Sequence, residues 1–560
     1  MQPQTINESA PETVEAINAI ERQADDCHKS LGLLALPGNL AIWGALSEGI
    51  RLIEGAIATH GDNSSDLDAS LINVGRSLTT AIKWVHAHGK PPSKLASLRW
   101  TPDFARKAEQ CVRTALQYAA FETAFPMWHK GRYAAQLMPP RVVRFSSLST
   151  ARERQVSAYQ KGFRPTTGEF KGKRAQKPEM RAEAKRLFEA TLDNAVREGQ
   201  YRFRYADPWD LWEELFPEYQ ARASGIARRS DSLSLGSYTL GEFNRFYAAV
   251  LAVGAGHEHL CWLWGQRQSE FPIKSAVLVW NRPRWTSVFS SLSGIAEQKC
   301  HAMLSDLCFM PEHSVDLHVH PFIPLDKGRF QIALAAPFPL HSLPDENILL
   351  VCSILRPEVF DAASLEKEKE LIAKLTGELS RYSPGGPVGL PNPTPDIDLM
   401  IVDESDATIA ICELKWMRKP IRSGKIPYSD ADVTKGIRQL RQIRDYLQRF
   451  PEHLKRIGKI ARPINEYRRV QYLLVARDHW PWIEPENNLA IVEYGGFVKA
   501  MLNARSLSEA FDGLLGYGWL PEEGRDFTVI FERSIVNGVA VDSEVFFPAR
   551  PGQASPAYGL

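Results

Sequence analysis

The chain has 560 residues, with 67 Lys and Arg against 66 Asp and Glu. At 44% hydrophobic and 24% charged residues its composition is that of an ordinary globular protein, which excludes wholesale disorder, a collagen-like repeat and a membrane bundle. A formal net charge of +1 selects no partner class, so the information lies in how charge is distributed along the chain.

A chain of this length implies about three domains. Its cysteines (Cys27, Cys111, Cys261, Cys300, Cys308, Cys352 and Cys412) are too scattered for a disulfide framework and contain no CxxC pair. They read as reduced thiols of a cytoplasmic protein. The opening MQPQTINESAPETVEAINAI lacks the basic start and apolar block of a signal peptide. Two longer apolar stretches, Ser30 to Ser47 and Phe246 to Gly265, are interrupted by Pro37-Gly38-Asn39 and by His257-Glu258-His259. Neither supplies the ~20 apolar residues of a membrane span, so both predict buried core helices and no membrane partner.

Residues 1–270 predict a mostly helical region, with apolar residues at three- and four-residue spacing over 10–27, 40–60 and 77–88. Between Lys130 and Ala190 the charge turns basic, with fifteen Lys or Arg against five acids. Gly, Pro and Thr make 161–178 a basic loop. Its Lys171, Lys173 and Arg174, close to Phe163 and Phe170, are candidates for holding a nucleic-acid strand. From 271 to 356 the texture becomes β-rich: AVLVW (276–280), VDLHVHPF (315–322), FQIALAAPF (330–338) and NILLVCSIL (347–355) each read as a strand. The third region, 357–560, opens with a charged helix (364–380) that a Pro/Gly-rich loop (383–395) ends. Strand, tight turn, strand, a long basic helix and further strands follow, and the chain closes on a hairpin turning at Asn537-Gly538. The fold class is therefore multidomain: a mostly α N-terminal region, a β-rich middle segment and a C-terminal α/β domain with a mixed central sheet.

The chemistry concentrates in Pro395-DIDLMIVDESDATIAICELK-Trp416. IDLMIV (397–402) and TIAICELKW (408–416) form strands around the acidic turn Asp403–Ala407. An antiparallel hairpin symmetric about that turn pairs residues whose numbers sum to 811. Val402 then faces Ile409, Met400 faces Ile411, Asp398 faces Glu413 and Asp396 faces Lys415, all on one face of the sheet. Opposed carboxylates with Cβ atoms about 4.5–5.5 Å apart repel unless a cation or a shared proton lies between them. Hard divalent ions take such oxygen ligands, so Asp398 and Glu413 are candidate ligands for Mg²⁺ or Mn²⁺, with Lys415 a candidate to orient or activate water. Such a set suits phosphodiester hydrolysis.

Asp398, fourteen intervening residues and Glu413-Leu414-Lys415 resemble the PD-(D/E)xK nuclease superfamily, the restriction-endonuclease-like fold, over about 360–500. The hairpin register makes Asp398 the ligand, with Asp396 as the backup; the resemblance implies that Glu366 or Glu370 on the preceding helix assists the metal, and that the Leu414 carbonyl touches it. Gln442 and Tyr446, on the helix Val433–Phe450, resemble the QxxxY signature of one branch and are implied to support the site. On that helix Ile437, Leu440, Ile443 and Leu447 make the apolar stripe, and Lys435 and Arg438 share a neighbouring stripe with Gln442 and Tyr446. Residues 415–477 hold seventeen Lys or Arg and far fewer acids, which suits a polyanion. Lys435 and Arg438 are thus nucleic-acid contacts.

Elsewhere, Cys300, His301, Cys308, His313, His318 and His320 match no zinc-ligand spacing. No GxxxxGK[ST] loop occurs, so ATP-driven translocation needs a separate partner. The expectation is a metal-dependent nuclease acting on nucleic acid, with DNA favoured over RNA by analogy, and a role against foreign DNA as the extension. The N-terminal region would be a sensor or targeting module, with a homodimer open. The alternative is a nucleic-acid-binding or scaffold protein that keeps the fold without cutting.

Overall fold

The computed structural model describes residues 11–60, 65–93, 100–139, 141–148, 150–160, 181–226, 231–313, 316–326, 328, 330–336, 338, 344–415, 426–476, 488–516 and 520–548. The basic loop 161–178, with Lys171, Lys173 and Arg174, lies outside them.

Helices dominate the N-terminal part. Thr239 and Glu242 close a capping box at the start of Leu240–Gln268, whose Phe243, Phe246, Tyr247 and Val250 are fully buried. Among the described residues no helix is long and apolar enough to cross a membrane. The middle segment contributes a small antiparallel sheet, Leu278–Asn281 against Gln331–Leu334 against Phe322–Pro324.

Two expected strands are something else. NILLVCSIL lies inside the helix Pro344–Leu355, where Ile348, Leu349, Val351 and Cys352 all reach the core. A run apolar at almost every position carries no period in its sequence, and here helical packing decided it, burying 348, 349, 351 and 352 and leaving 350, 354 and 355 partly open. Of VDLHVHPF, whose Val315 lies outside the described residues, Asp316 to Pro321 is a turn leading to Phe322: the buried Asp316 carboxylate accepts the His318 N–H at 3.1 Å, and its carbonyl accepts from His320 at 3.0 Å. Nor does packing break near residue 270, because Ile42, Trp43 and Leu78 share one core with Ala276, Phe309, Ile323 and Ala333.

The final hairpin, Phe527–Val536 and Val539–Pro548, turns at Asn537-Gly538, both at positive φ (49° and 75°) as a two-residue turn requires. It does not pack with the sheet of the C-terminal region. Val539–Pro548 runs parallel to Val142–Ser147, which pairs in turn with Tyr133–Met138. Val536, Val539 and Val541 are buried with Val143, Phe145, Ile17 and Phe121. Asp542, 3% exposed, accepts from Arg533 at 2.7 Å and Arg144 at 3.1 Å, tying the two hairpins together.

Residues 357–515 form a unit with its own core. In chain order it comprises α1 (Pro357–Glu378), β1 (Pro384–Gly385), β2 (Leu399–Asp403), β3 (Thr408–Lys415), α2 (Ile426–Arg449), β4 (Arg469–Ala476), β5 (Leu489–Glu493), α3 (Tyr494–Asn503) and α4 (Leu507–Leu515). The sheet is mixed, in the order β5-β4-β3-β2-β1, with β3, β4 and β5 parallel and β1 and β2 antiparallel to their neighbours. Val433, Ile437, Leu440, Ile443 and Leu447 of α2 cover the face bearing Met400, Val402, Ile409 and Ile411. On the other face Leu399, Ile401, Cys412 and Leu414 meet α1, α3 and α4. Both faces are thus covered, as parallel strands require.

Candidate active site

The β2–β3 hairpin has the register expected from its sequence: Thr408 pairs with Asp403, Ile409 with Val402, Ile411 with Met400 and Cys412 with Leu399. Its acidic turn is tied down structurally. Asp403 accepts the Leu507 N–H at 3.1 Å and Asp406 accepts the Ser508 N–H at 2.8 Å, while Ser506 accepts the Glu509 N–H. Three donors that α4 leaves open at its N-terminus are satisfied, and two carboxylates sit at the positive end of its dipole. Burial alone would raise the Asp403 carboxyl, but hydrogen bonds from Ser405, Leu507 and Asp406 hold it below the ordinary carboxylate value. Glu404 behaves likewise, lowered against burial by Tyr467, Ala461 and Arg462.

With the turn fixed, strand alternation carries Asp398 and Glu413 to the α2 face. Glu413 is 1% exposed, and Lys415 Nζ donates to its Oε1 at 2.5 Å. Asp398, just beyond the paired residues of β2, folds over the strand end: its Oδ2 accepts the Leu414 N–H at 2.8 Å. Burial pushes the Asp398 carboxyl up. The Leu414 N–H, the Lys415 charge and a hydrogen bond with Glu413 pull the other way without reversing it, and Asp396 adds to the rise. Asp398, Glu413 and Lys415 therefore form one half-buried cluster at the end of the hairpin. Asp396 is exposed and accepts the Leu390 N–H at 3.1 Å. Gly386 lets the preceding loop touch this strand end, since a Cβ there would lie 2.3 Å from the Asp398 carbonyl oxygen.

The other expected residues are placed differently. Glu366 and Glu370 are exposed on α1, which packs through Leu375 and Leu379 on the opposite face of the sheet. Among the described residues no group of three or more His, Cys, Asp or Glu side chains gathers to hold a metal ion, so the structure does not bring these glutamates to Asp398 and Glu413, nor the histidines and cysteines of 300–320 together as ligands. Gln442 is exposed on the outer side of α2. Tyr446 is half-buried but lies far along the helix. Gly436 sits against Lys415, where an added Cβ would be 3.4 Å from the lysine Cε, and ten residues further is about 15 Å of helix. The Tyr446 hydroxyl is engaged at that distance by His453 Nδ1, 3.0 Å away. Lys435 and Arg438 are exposed near the Gly436 end. One residue escaped the sequence reading: Gln439, one turn beyond Gly436, has a buried Oε1 with no hydrogen-bond partner among the described residues. Its spacing from Gly436 was the available signal.

Comparison of the chain with protein-family models, with curated proteins and with solved structures gives no match.

Proposed function

We propose that the protein is a divalent-metal-dependent nuclease that hydrolyses phosphodiester bonds, with DNA as the favoured substrate and defence against foreign DNA as its setting. The observation that carries this reading is the cluster of Asp398, Glu413 and Lys415. Two carboxylates and one lysine are drawn together at a strand end, with Glu413 almost wholly out of water. Removing carboxylates from water is costly unless charge and hydrogen bonds compensate, and a structural role would be met by apolar residues at no such cost.

The donor set fits Mg²⁺ or Mn²⁺: two carboxylates, with the Leu414 carbonyl between acid and lysine as a third oxygen. Lys415 offsets part of their charge, which leaves negative charge among the described residues of the cluster for a divalent ion to offset. When bound, the ion polarises the phosphoryl oxygen and offsets charge on the leaving oxygen. The chain's own groups do the rest. The Leu414 N–H holds the Asp398 carboxylate in one orientation, and Glu413 holds the Lys415 ammonium. From there Lys415 orients the attacking water and donates to the phosphate. The α/β unit with a mixed five-stranded sheet, helices on both faces and acids on a central hairpin supports the likeness to PD-(D/E)xK nucleases.

A second reading is a nucleic-acid-binding protein that keeps this architecture without cutting. It is favoured by the exposure of Glu366 and Glu370 and by the lack of a three-ligand group among the described residues. The test is cleavage of circular and linear DNA and of RNA with Mg²⁺, Mn²⁺ or EDTA, running wild type beside Glu413→Ala and Lys415→Ala. Metal-dependent cutting lost in both variants supports the nuclease. Cutting that survives both sinks the site assignment, and salt-sensitive binding without cutting supports the second reading.

A further inference from the structure

Between Lys435 and Lys459 the chain carries eight Lys or Arg against two acids, Asp445 and Glu452. Four of these cations, Arg449, Lys455, Arg456 and Lys459, flank Phe450 in the chain, at the end of α2 remote from Lys415. Lys435, Gln439, Tyr446 and Phe450 follow one another at intervals of four, seven and four residues, so they line one edge of the helix. The edge starts beside Gly436, where Lys415 is seated, and ends at Phe450, about 21 Å away along the axis.

The far end is organised as a platform. Phe450 is 49% exposed, an unusual position for a phenylalanine in a unit whose other large apolar groups mostly pack inside. Its ring centroid lies 5.0 Å from that of Tyr446. The Tyr446 ring stands edge-on to His453, at 5.3 Å and 79°, and its hydroxyl donates to His453 Nδ1. Arg456 Nη2, which can only donate, also reaches this nitrogen at 3.3 Å, which makes Nδ1 the acceptor. The tyrosine is thereby locked and backs the phenylalanine. Arg449, Lys455 and Lys459 are exposed around it.

We propose that this end of α2 and the turn after it bind an unpaired nucleic-acid strand, with a base stacked on Phe450 and phosphates on the surrounding cations. Cations alone would suit any polyanion. An exposed ring held rigid among them selects a polyanion with flat faces to stack, and only an unpaired strand offers those faces freely. The proposal rests on the nucleic-acid reading of the protein, and it names the substrate form: a single strand running along the helix edge from the Phe450 platform toward Asp398, Glu413 and Lys415.

The test is fluorescence anisotropy of a labelled oligothymidylate and of a duplex of equal length, with the full chain in EDTA. Wild type is compared with Phe450→Ala, Phe450→Trp and Lys455→Ala/Lys459→Ala. Phe450→Ala should weaken oligothymidylate binding about tenfold, and Phe450→Trp should retain it. The double lysine variant should flatten the dependence of log K on log salt by about 1.4, or about 0.7 per lost phosphate contact. Glu413→Gln serves as the control in a parallel cleavage assay with Mg²⁺: a wild type that cuts no better than this variant, yet whose binding depends on Phe450, supports the platform while failing as a nuclease. Unchanged binding in Phe450→Ala overturns the proposal even if Glu413-dependent cutting is seen. Competition by polyglutamate as strong as by unlabelled oligothymidylate overturns it too, and assigns the surface to an acidic protein.

Discussion

The Leu414 amide donates to Asp398 across the end of the β2–β3 hairpin, so the residue between the acid and the lysine of β3 fixes the acid contributed by β2. Leu414 itself is 1% exposed, and its N–H has no water to turn to if that carboxylate is removed. Asp398→Ala should therefore cost about 1–3 kcal/mol in urea unfolding, while Asp398→Asn, which keeps an acceptor oxygen, should cost less. Both should abolish the Mn²⁺-dependent rise in stability, which in the wild type should grow by about 1.4 kcal/mol of unfolding free energy per tenfold excess over Kd and be read as a rising Tm. A wild type indifferent to Mn²⁺ would count against a two-carboxylate metal site.

The turn that sets the hairpin register should make it acid-sensitive. Asp403 and Glu404 titrate below their ordinary values in the folded protein. Groups lowered by folding contribute stability that is fully present above the unfolded carboxylate pKa of about 4 and is lost as pH falls through the folded value. Asp403→Ala should cost about 1–2 kcal/mol at pH 7, as loss of a helix cap does, and the difference from wild type should shrink toward pH 3. Urea unfolding at the two pH values measures it, and a difference independent of pH would show that the carboxylate charge is not what matters.

Gly386 tests whether the loop before β2 positions Asp398. The atom facing an added Cβ is the backbone carbonyl oxygen of Asp398 at 2.3 Å, which cannot swing aside as a flexible side chain would. Gly386→Ala should destabilise by about 1–3 kcal/mol. It should also lower activity by more than Gly385→Ala, where no atom lies within 4 Å of the added carbon. Equal effects of the two substitutions in thermal unfolding and in cleavage assays would refute the contact.

Asp542 makes a comparable prediction away from the site. Its carboxyl is held below the usual range first by the Arg533 hydrogen bond and then by Arg144. Because both arginines are more than a third exposed on their side chains, Asp542→Ala should cost only about 1–2 kcal/mol. The loss should appear as faster proteolysis of the 527–548 hairpin, and unchanged proteolysis would show that strand pairing alone holds it.

The parts of the fold legible in the sequence were those with a period and a punctuation mark. Alternation in Leu399–Asp403 and Thr408–Lys415 about a short acidic turn gave the hairpin register, and Asn537-Gly538 gave the last turn. The helix Pro344–Leu355 was hidden because a run apolar at almost every position reads the same in either geometry. The parallel partner of Val539–Pro548 was hidden because it lies some 400 residues away in the chain. In the site, Asp398, Glu413 and Lys415 could be found from strand parity. The rotation of α2 could not: periodicity identifies its buried stripe but not which flanking edge meets the acids. Gly436, which admits Lys415, settles this in favour of the edge bearing Gln439 and leaves Gln442 in solvent.

Strand Val539–Pro548 lies beside Val142–Ser147, so the 357–515 unit is an insertion whose entry and exit both belong to the same body. During synthesis the N-terminal sheet must wait, with Val143 and Phe145 lacking Val536, Val539 and Val541, until the 527–548 hairpin has left the ribosome. The helical cores of residues 31–338 and 212–363, and then the core of the inserted unit, all have their full sequence before that hairpin arrives, so the 133–147 sheet is the part that finishes folding last. Truncation just before residue 357 would not release a tidy N-terminal module, because it would also remove the strands that close that module's sheet.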